Sequence, residues 1–531
     1  MTVIPLRPSS IAPPTSTTRF KQMRTWITTH RVSILVLIPL MVVVAASSLW
    51  NFQGYGALTS DDEGTYWSQA WSLYAQGRLS SYTYWYDHPP FGWMQISAYG
   101  WLTNGFGRGD IGVMVAREVM AIANIVSGVL LFVLMRRLRF NRIAASVAVL
   151  LFVLSPLAIQ YHRLVYLDNL EVTWLLAAMV CAVSPKRTIG SAVGAALCLV
   201  AATLSKETAL VLVPVVFMLV WQNRAKGERS WSLVMFAGVF SLTFLLYPLY
   251  AVLKGELFAG SGHVSIESAV RWQLFERAGT GSVLDTHSVT FSQLEEWLRY
   301  DMWMPATALL LVPVCLVFRR MRPFAVGYAL QVALLAREGY TPQPYIIALL
   351  PFAAILVAGG SAELFRILRA ADIHRAPTGI QRRLQSVMAV ACAVVLLTTL
   401  VSFGNKAVPQ WTDKLTTVAT ADFTVEYHET LTWVLDNVPK DARIVSDNNF
   451  WYDLRQHGYT NVDWLFKVDL DPAVKATYPR GWKDVDYVVS RRFAEHQLRE
   501  QPTTWDALQH GKQIFTCSNA MLEYDVYKVG S

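Results

Sequence analysis

Eleven apolar runs of about bilayer-spanning length punctuate the chain, near 32–50, 111–135, 143–161, 164–183, 188–204, 207–221, 231–253, 302–318, 323–336, 343–361 and 386–403. A helix needs roughly 20 apolar residues to cross a bilayer. In lipid its backbone groups must be paired within the segment, which excludes most other structures. The pattern predicts a polytopic all-α membrane protein of about 11 transmembrane helices. Composition agrees: 16% of the 531 residues are charged, against roughly a quarter in soluble proteins.

The links between the runs alternate in charge. RRLRFNR at 136–142, PKR at 185–187, NRAKGER at 223–229, RRMR at 319–322 and the segment 362–385 are basic. The positive-inside rule puts these links and the N-terminus in the cytoplasm, in a multi-pass plasma membrane. The formal charge of +8 therefore reads as topology, not as a nucleic-acid surface. The external set comprises a first loop, 51–110, short turns near 162 and 205, a second large loop, 254–301, the turn 337–342 and everything after 404. Residues 1–31, rich in Pro, Ser and Thr, read as a disordered cytoplasmic tail, and 32–404 as the membrane domain. Beyond 405, helical patterning alternates with the strand-like ARIVSD, DVDYVVS and EYDVYKV. That alternation predicts a small extracytoplasmic α/β domain over 405–531, with Trp451 and Tyr452 as candidate acceptor contacts. The five cysteines form no disulfide framework or Cys/His metal motif.

The first loop holds the densest chemistry. It opens with Asp61, Asp62 and Glu63, closes with His88-Pro89-Pro90, and carries Tyr66, Trp67, Trp71, Tyr74, Tyr82, Tyr84, Trp85 and Tyr86 between them. Such rings suit both a membrane interface and the face of a sugar. The competing reading is an interfacial hairpin whose acids cap a helix. Further ionisable groups gather at external helix ends, and in a membrane segment each costs at least ~2.5–3.5 kcal/mol. YHRLVYLDNLEVTW supplies His162, Arg163, Asp168 and Glu171, the two acids at i,i+3. LSKETAL places Lys206 and Glu207 at the head of a helix, where the dipole disfavours a cation unless an anion joins it. Arg337 precedes TPQPYIIALLP, and Arg117 reads as a structural pairing residue. Internal ion pairs, Arg163 or Lys206 with Asp168, are the bland alternatives.

Carboxylates, phosphate-binding cations and stacking rings on a lipid-embedded scaffold match a substrate with a sugar, a phosphate and a long lipid. Sugar transfer from a polyprenyl phosphate needs a carboxylate to deprotonate the acceptor hydroxyl and cations for the leaving phosphate. It needs no carboxylic acid, unlike glycosidases. The ordered motifs Asp62-Glu63, His88-Pro89-Pro90, Leu167-Asp168, Leu204-Ser205-Lys206 and Tyr345-x-x-x-Leu349-Leu350-Pro351 resemble the GT-C glycosyltransferases of family 39 over about 50–361. That family includes the protein O-mannosyltransferases and the lipid A aminoarabinose transferase.

The resemblance implies a polyprenyl-phosphate-sugar donor, an extracytoplasmic protein, lipid or glycan acceptor, and single displacement with inversion. It maps the base onto Asp62, with Asp61 directly before it and Glu63 after, a second acid onto Asp168, and the donor-phosphate lysine onto Lys206. Arg163 and Arg337 are candidate helpers of that lysine, and His88, Tyr66, Trp85, Tyr345 and Glu171 are candidate substrate contacts. No cofactor or metal is expected. Glu207 departs from the aminoarabinose transferases, which carry Gly there. A transporter or flippase is the alternative class, expected to show inverted repeats with broken mid-membrane helices, of which the sequence shows no internal symmetry. A topology reporter fused after residue 404 is expected outside the cell, and a cytoplasmic signal would contradict the charge alternation.

Overall fold

The computed structural model describes residues 16–56, 58–79, 86–260, 263–370, 379–492, 498–499, 501–519 and 522–530. Tyr82, Tyr84 and Trp85 lie outside the described residues. All eleven apolar runs are helical. Five described helices are long and apolar enough to cross a membrane, or up to seven if each of two bent pairs counts as one span. The remaining runs are short or interrupted by charge, so the fold is a polytopic helical membrane protein without the count of eleven being reached on length and composition.

The elements that carry the site are α1 (Ser16–Leu49), α2 (Asp61–Gln76), α3 (Phe91–Leu102), α4 (Gly112–Arg137), α5 (Arg142–Leu154), α6 (Pro156–Arg163), α7 (Leu167–Ala182) and α8 (Ile189–Ser205). Helix α1 runs from the first described residue, Ser16, so the part of the expected disordered tail that is described, 16–31, is helical. Apolar residues continue its helical pattern well before residue 32. Between α5 and α6 the axis turns by 62° at Ser155-Pro156, as expected where proline removes a backbone donor. The second bent pair, Val289–Asp301 and Trp303–Val317, turns by 100°. The buried Asp301 joins the two bends: Ser155 donates its hydroxyl to Asp301 at 2.6 Å, and the Met304 amide donates at 3.1 Å.

The helix Gly379–Ser402 continues through one wider turn, Phe403–Ala407, into Val408–Thr420. The expected boundary at 404 therefore falls inside a helical run. Five strands follow: β1 (Ile444–Ser446), β2 (Val462–Trp464), β3 (Tyr487–Arg491), β4 (Gly511–Ser518) and β5 (Glu523–Val529), in the order β2-β1-β3-β5-β4. β1 is parallel to β2 and β3, whereas β5 is antiparallel to β3 and β4.

This small α/β unit is built against α2. The helix Asn448–Gln456, capped by Asp447, crosses α2 where Gly64 sits. A Cβ on Gly64 would stand 2.3 Å from the Asn448 carbonyl oxygen and 2.4 Å from the Asn449 Cα. Gly112 is similarly crowded by Trp67 and Tyr452, and its amide donates to Asp453 at 3.0 Å. Trp67, Trp71 and Tyr74 lie on one face of α2 and pack on Phe106, Trp451 and Tyr452. Trp451 donates to Val462 and Tyr452 to Phe106, both side chains being buried. These two rings are part of the joint between the units, which corrects the expectation that they face an acceptor. Alanine at an ordinary helix position is worth ~1 kcal/mol over glycine. Gly64→Ala is nevertheless expected to destabilise the protein and open the joint, read as a lower melting temperature and faster proteolysis after residue 420; a stabilised variant would refute the close approach.

Candidate active site

The N-terminal turn of α2 presents its acids in three directions, as 100° steps along a helix require. Glu63 points inward and is fully buried. It accepts from the amides of Leu58 (2.9 Å) and Val165 (3.1 Å) and lies 3.8 Å from Arg117 Nε. Burial pushes its carboxyl up to about 7 despite those partners. Glu63 thus ties α2 to the α6–α7 turn and does not open onto the site. Asp61 lies towards the α/β unit, close enough to act electrostatically on Asp447 and Arg491. Asp62 is half-buried and shares its face with Tyr66 at i,i+4. Burial, reinforced by neighbouring Asp61, pushes the Asp62 carboxyl up to about 6, with Lys206 and His88 pulling the other way.

Opposite that face stands a chain of polar groups from three segments. Lys206 Nζ lies 3.1 Å from His88 Nε2, and His88 Nδ1 lies 3.0 and 3.2 Å from the two Glu207 oxygens. A lysine ammonium only donates, so the first contact uses the Nε2 lone pair, and Nδ1–H then donates to Glu207. Lys206 also forms an ion pair with Asp168 at 3.8 Å and lies 6.0 Å from the Tyr345 ring centre. Neither Asp168 oxygen has a hydrogen-bond partner among the described residues. Glu171 is fully buried and accepts from Thr208 at 2.7 Å. Tyr66 and Trp93 flank the imidazole of His88 at 6.0 and 6.3 Å. Lys206 caps the C-terminus of α8, its amide donating to Ala202 at 2.9 Å. Lys206 is also the N-cap of the 3-10 helix Glu207–Leu212 that leads into Val213–Asn223, the helix head expected from the sequence. The α8 dipole favours the cation there and the dipole of the following helix opposes it.

The structure brings Asp62, Tyr66, His88, Asp168, Glu171, Lys206 and Tyr345 into one region and takes Arg163 out of it. Arg163 donates to the Ser47 carbonyl at 2.6 Å and to Asn51 at 3.5 Å, pinning the end of α1. It forms no pair with Asp168. Arg117 donates to Phe52, Tyr55 and Arg163 carbonyls, the structural role its burial demands. His162 is buried against Phe152, away from the cluster. Arg337 donates to the Tyr340 carbonyl in its own loop and borders the site through Tyr345.

Three participants carry no sequence motif beyond their charge: Asp87, Arg277 and Lys467. Asp87 accepts from Gln273 at 2.7 Å and pairs with Lys467 of the α/β unit at 3.6 Å. Burial alone would raise its carboxyl, but Lys467, with Arg277 and Lys206 behind it, holds it well below the usual carboxylate range. The Arg277 guanidinium lies over the Tyr340 ring at 3.2 Å. Asp87 was legible as a charge beside His88-Pro89; the other two lie too far along the chain. Among the described residues, no group of three or more His, Cys, Asp or Glu side chains is placed to hold a metal ion.

Residues 87–250, the stretch holding Asp87, His88, Asp168 and Lys206, match the family model for dolichyl-phosphate-mannose-protein mannosyltransferase. The structure of ArnT from Cupriavidus metallidurans bound to undecaprenyl phosphate superposes with a TM-score of 0.55 at 17% identity, covering 94% of this chain and 99% of that one. The chain has the GT-C fold. The apo Archaeoglobus fulgidus oligosaccharyltransferase is similar to this GT-C chain at TM-score 0.53 and 11% identity, over 87% of this chain and 70% of that one. A third structure, AglB of the same archaeon in complex with an inhibitory peptide and a dolichol-phosphate, gives 0.51 and 13%, over 94% and 74%. No curated protein matches. The GT-C chain is thus like family 39 in its matched segment and like ArnT along nearly its whole length. Because removing one partner of a buried pair costs roughly 3–5 kcal/mol, Lys206→Met is expected to lower stability by about that amount, measured by thermal unfolding in detergent. A negligible loss would mean that Lys206 does not neutralise the buried acids around it.

Proposed function

We propose that this GT-C chain is a polyprenyl-phosphate-sugar-dependent membrane glycosyltransferase that moves a hexose or pentose to an extracytoplasmic hydroxyl on a protein, lipid or glycan. The observation that carries the reading is the facing of Asp62 and Tyr66 on α2 towards the Lys206–His88–Glu207 chain and Asp168. Asp62 is the general base: its carboxyl, held near 6 by burial and Asp61, is ionised at neutral pH yet basic enough to take a proton from the acceptor. Lys206 receives the donor phosphate, with His88 held beside it by Glu207. The phosphate oxygen leaves as an anion, and the ammonium stabilises the charge that develops. The acceptor oxygen attacks the anomeric carbon as the phosphate departs from the other side, so configuration inverts. The mechanism calls for no cofactor.

In this reading about eleven helices cross the plasma membrane, the shorter runs included, with the N-terminus in the cytoplasm and the α/β unit outside. Asp168 neutralises Lys206 until donor binds, and Lys467 and Arg277 complete a basic rim around Asp87. Family-model similarity over 87–250 and the ArnT-like architecture support the transferase class over a transporter. Mass spectrometry of lipid retained on the purified protein is expected to find a polyprenyl phosphate-sugar. A small solute without a lipid would favour transport instead.

Asp62→Asn keeps shape and removes the base, so transfer is expected to fall about 10²–10⁴-fold with donor still bound. In the parent protein the rate should rise with pH through about 6, because protonated Asp62 cannot act as a base. Normal transfer by both Asp62→Asn and Asp61→Asn would place the chemistry outside α2.

A further inference from the structure

The α/β unit enters the first turn of α2 with a single side chain. Asn449, 1% exposed, accepts from the Gly64 amide at 2.9 Å and donates to the Ser60 carbonyl at 3.1 Å. Gly64 N–H and Ser60 C=O are an i, i−4 pair, the two groups an α-helical turn joins directly. The amide of Asn449 therefore bridges both ends of the turn that holds Asp61, Asp62 and Glu63. Its second donor lies 3.4 Å from the Leu58 carbonyl, and Arg491 donates to the carbonyls of Leu58 and Thr59. Asp447, 3.6 Å from Arg491 Nε, fixes Asn449 in turn by accepting its backbone amide at 3.0 Å. Asn448 donates to Thr65 at 2.7 Å, one step further along α2. The absence of a Cβ at Gly64 is what lets Asn449 come this near.

We infer that Asn449, supported by Arg491, is a positioning residue: through it the α/β unit sets the first turn of α2 and hence the direction in which Asp62 points. The catalytic half of this inference rests on the proposed role of Asp62; the structural half does not. Asparagine suits the task because one planar amide offers an acceptor and two donors in fixed geometry. Alanine offers neither, and aspartate keeps the acceptor while losing both donors. A misplacement of about 1 Å at a reacting group costs on the order of 10²-fold in rate, so a loosened turn should be visible in turnover.

The test compares the full-length protein with Asn449→Ala, Asn449→Asp and Tyr452→Phe. The last loses a bond in the same joint, to the Phe106 carbonyl, without touching the turn. Three quantities are read: hydrogen exchange of amides 61–66, binding of undecaprenyl phosphate, and turnover of the polyprenyl-phosphate sugar that copurifies. Asn449→Ala is expected to speed exchange at 61–66 by at least about tenfold and to lower turnover about 10- to 100-fold. Undecaprenyl phosphate binding should be retained, and Tyr452→Phe should match the parent in all three. Asn449→Asp, of equal size, carries the test if the alanine variant does not fold, with smaller changes of the same sign. Exchange at 61–66 no faster in the Asn449 variants than in Tyr452→Phe overturns the inference. Faster exchange with unchanged turnover leaves the hold on α2 standing and removes Asp62 as the base.

Discussion

A guanidinium buried beneath the site holds the surrounding loops in register. Arg117, on α4, donates to the carbonyls of Phe52, Tyr55 and Arg163, and its one ion-pair partner among the described residues is Glu63 at 3.8 Å. Glu63 in turn takes the amides of Leu58 and Val165. One ion pair thereby connects the end of α1, the start of α2, the α6–α7 turn and the membrane helix α4. Two charges out of water are stable only when their remaining donors and acceptors are filled, and here almost all of them are spent on backbone groups that would otherwise be orphaned at loop ends. The acid most deeply placed in the Asp61-Asp62-Glu63 run is thus committed to architecture, and Asp62 is left to face the open side.

Much of the bundle was legible in the sequence because lipid imposes length and apolarity on whatever crosses it. All eleven apolar runs became helices, and the α/β character of the tail was visible in its alternating patterns. The number of spans was less legible. Leu167–Ala182 and Ile189–Ser205 are only 16 and 17 residues long, and Asp168 and Glu171 interrupt the apolarity of the first. The residues of the site region were readable wherever an ionisable group stood at a helix end without a local reason. Charge alone failed for Arg163, which resembles Lys206 on paper but spends its donors on Ser47 and Asn51.

The contacts that escaped the sequence span hundreds of residues. Lys467 meets Asp87, Asn449 meets Gly64, and Asp453 meets Gly112. No periodicity encodes such pairings, since each depends on how the α/β unit is turned against α2. The aromatic residues of the first loop show the same limit from the other side. Counting rings suggested a platform for sugars, whereas helical spacing divides those of α2: Trp67, Trp71 and Tyr74 line the joint and Tyr66 turns to His88. Applied to α2 in advance, the 3.6-residue period would have made that division.

The glycine at position 64 also bears on how proteins of this fold can diversify. With a carbonyl oxygen 2.3 Å from where its Cβ would lie, the crossing tolerates neither a larger residue on α2 nor a shifted backbone on its partner. The tail is therefore not an interchangeable module. A chimera that grafts another protein's tail onto this membrane half would have to bring that protein's own first loop with it, so recombination among relatives is constrained to exchange the two segments together even though the whole stretch 111–404 separates them in the chain.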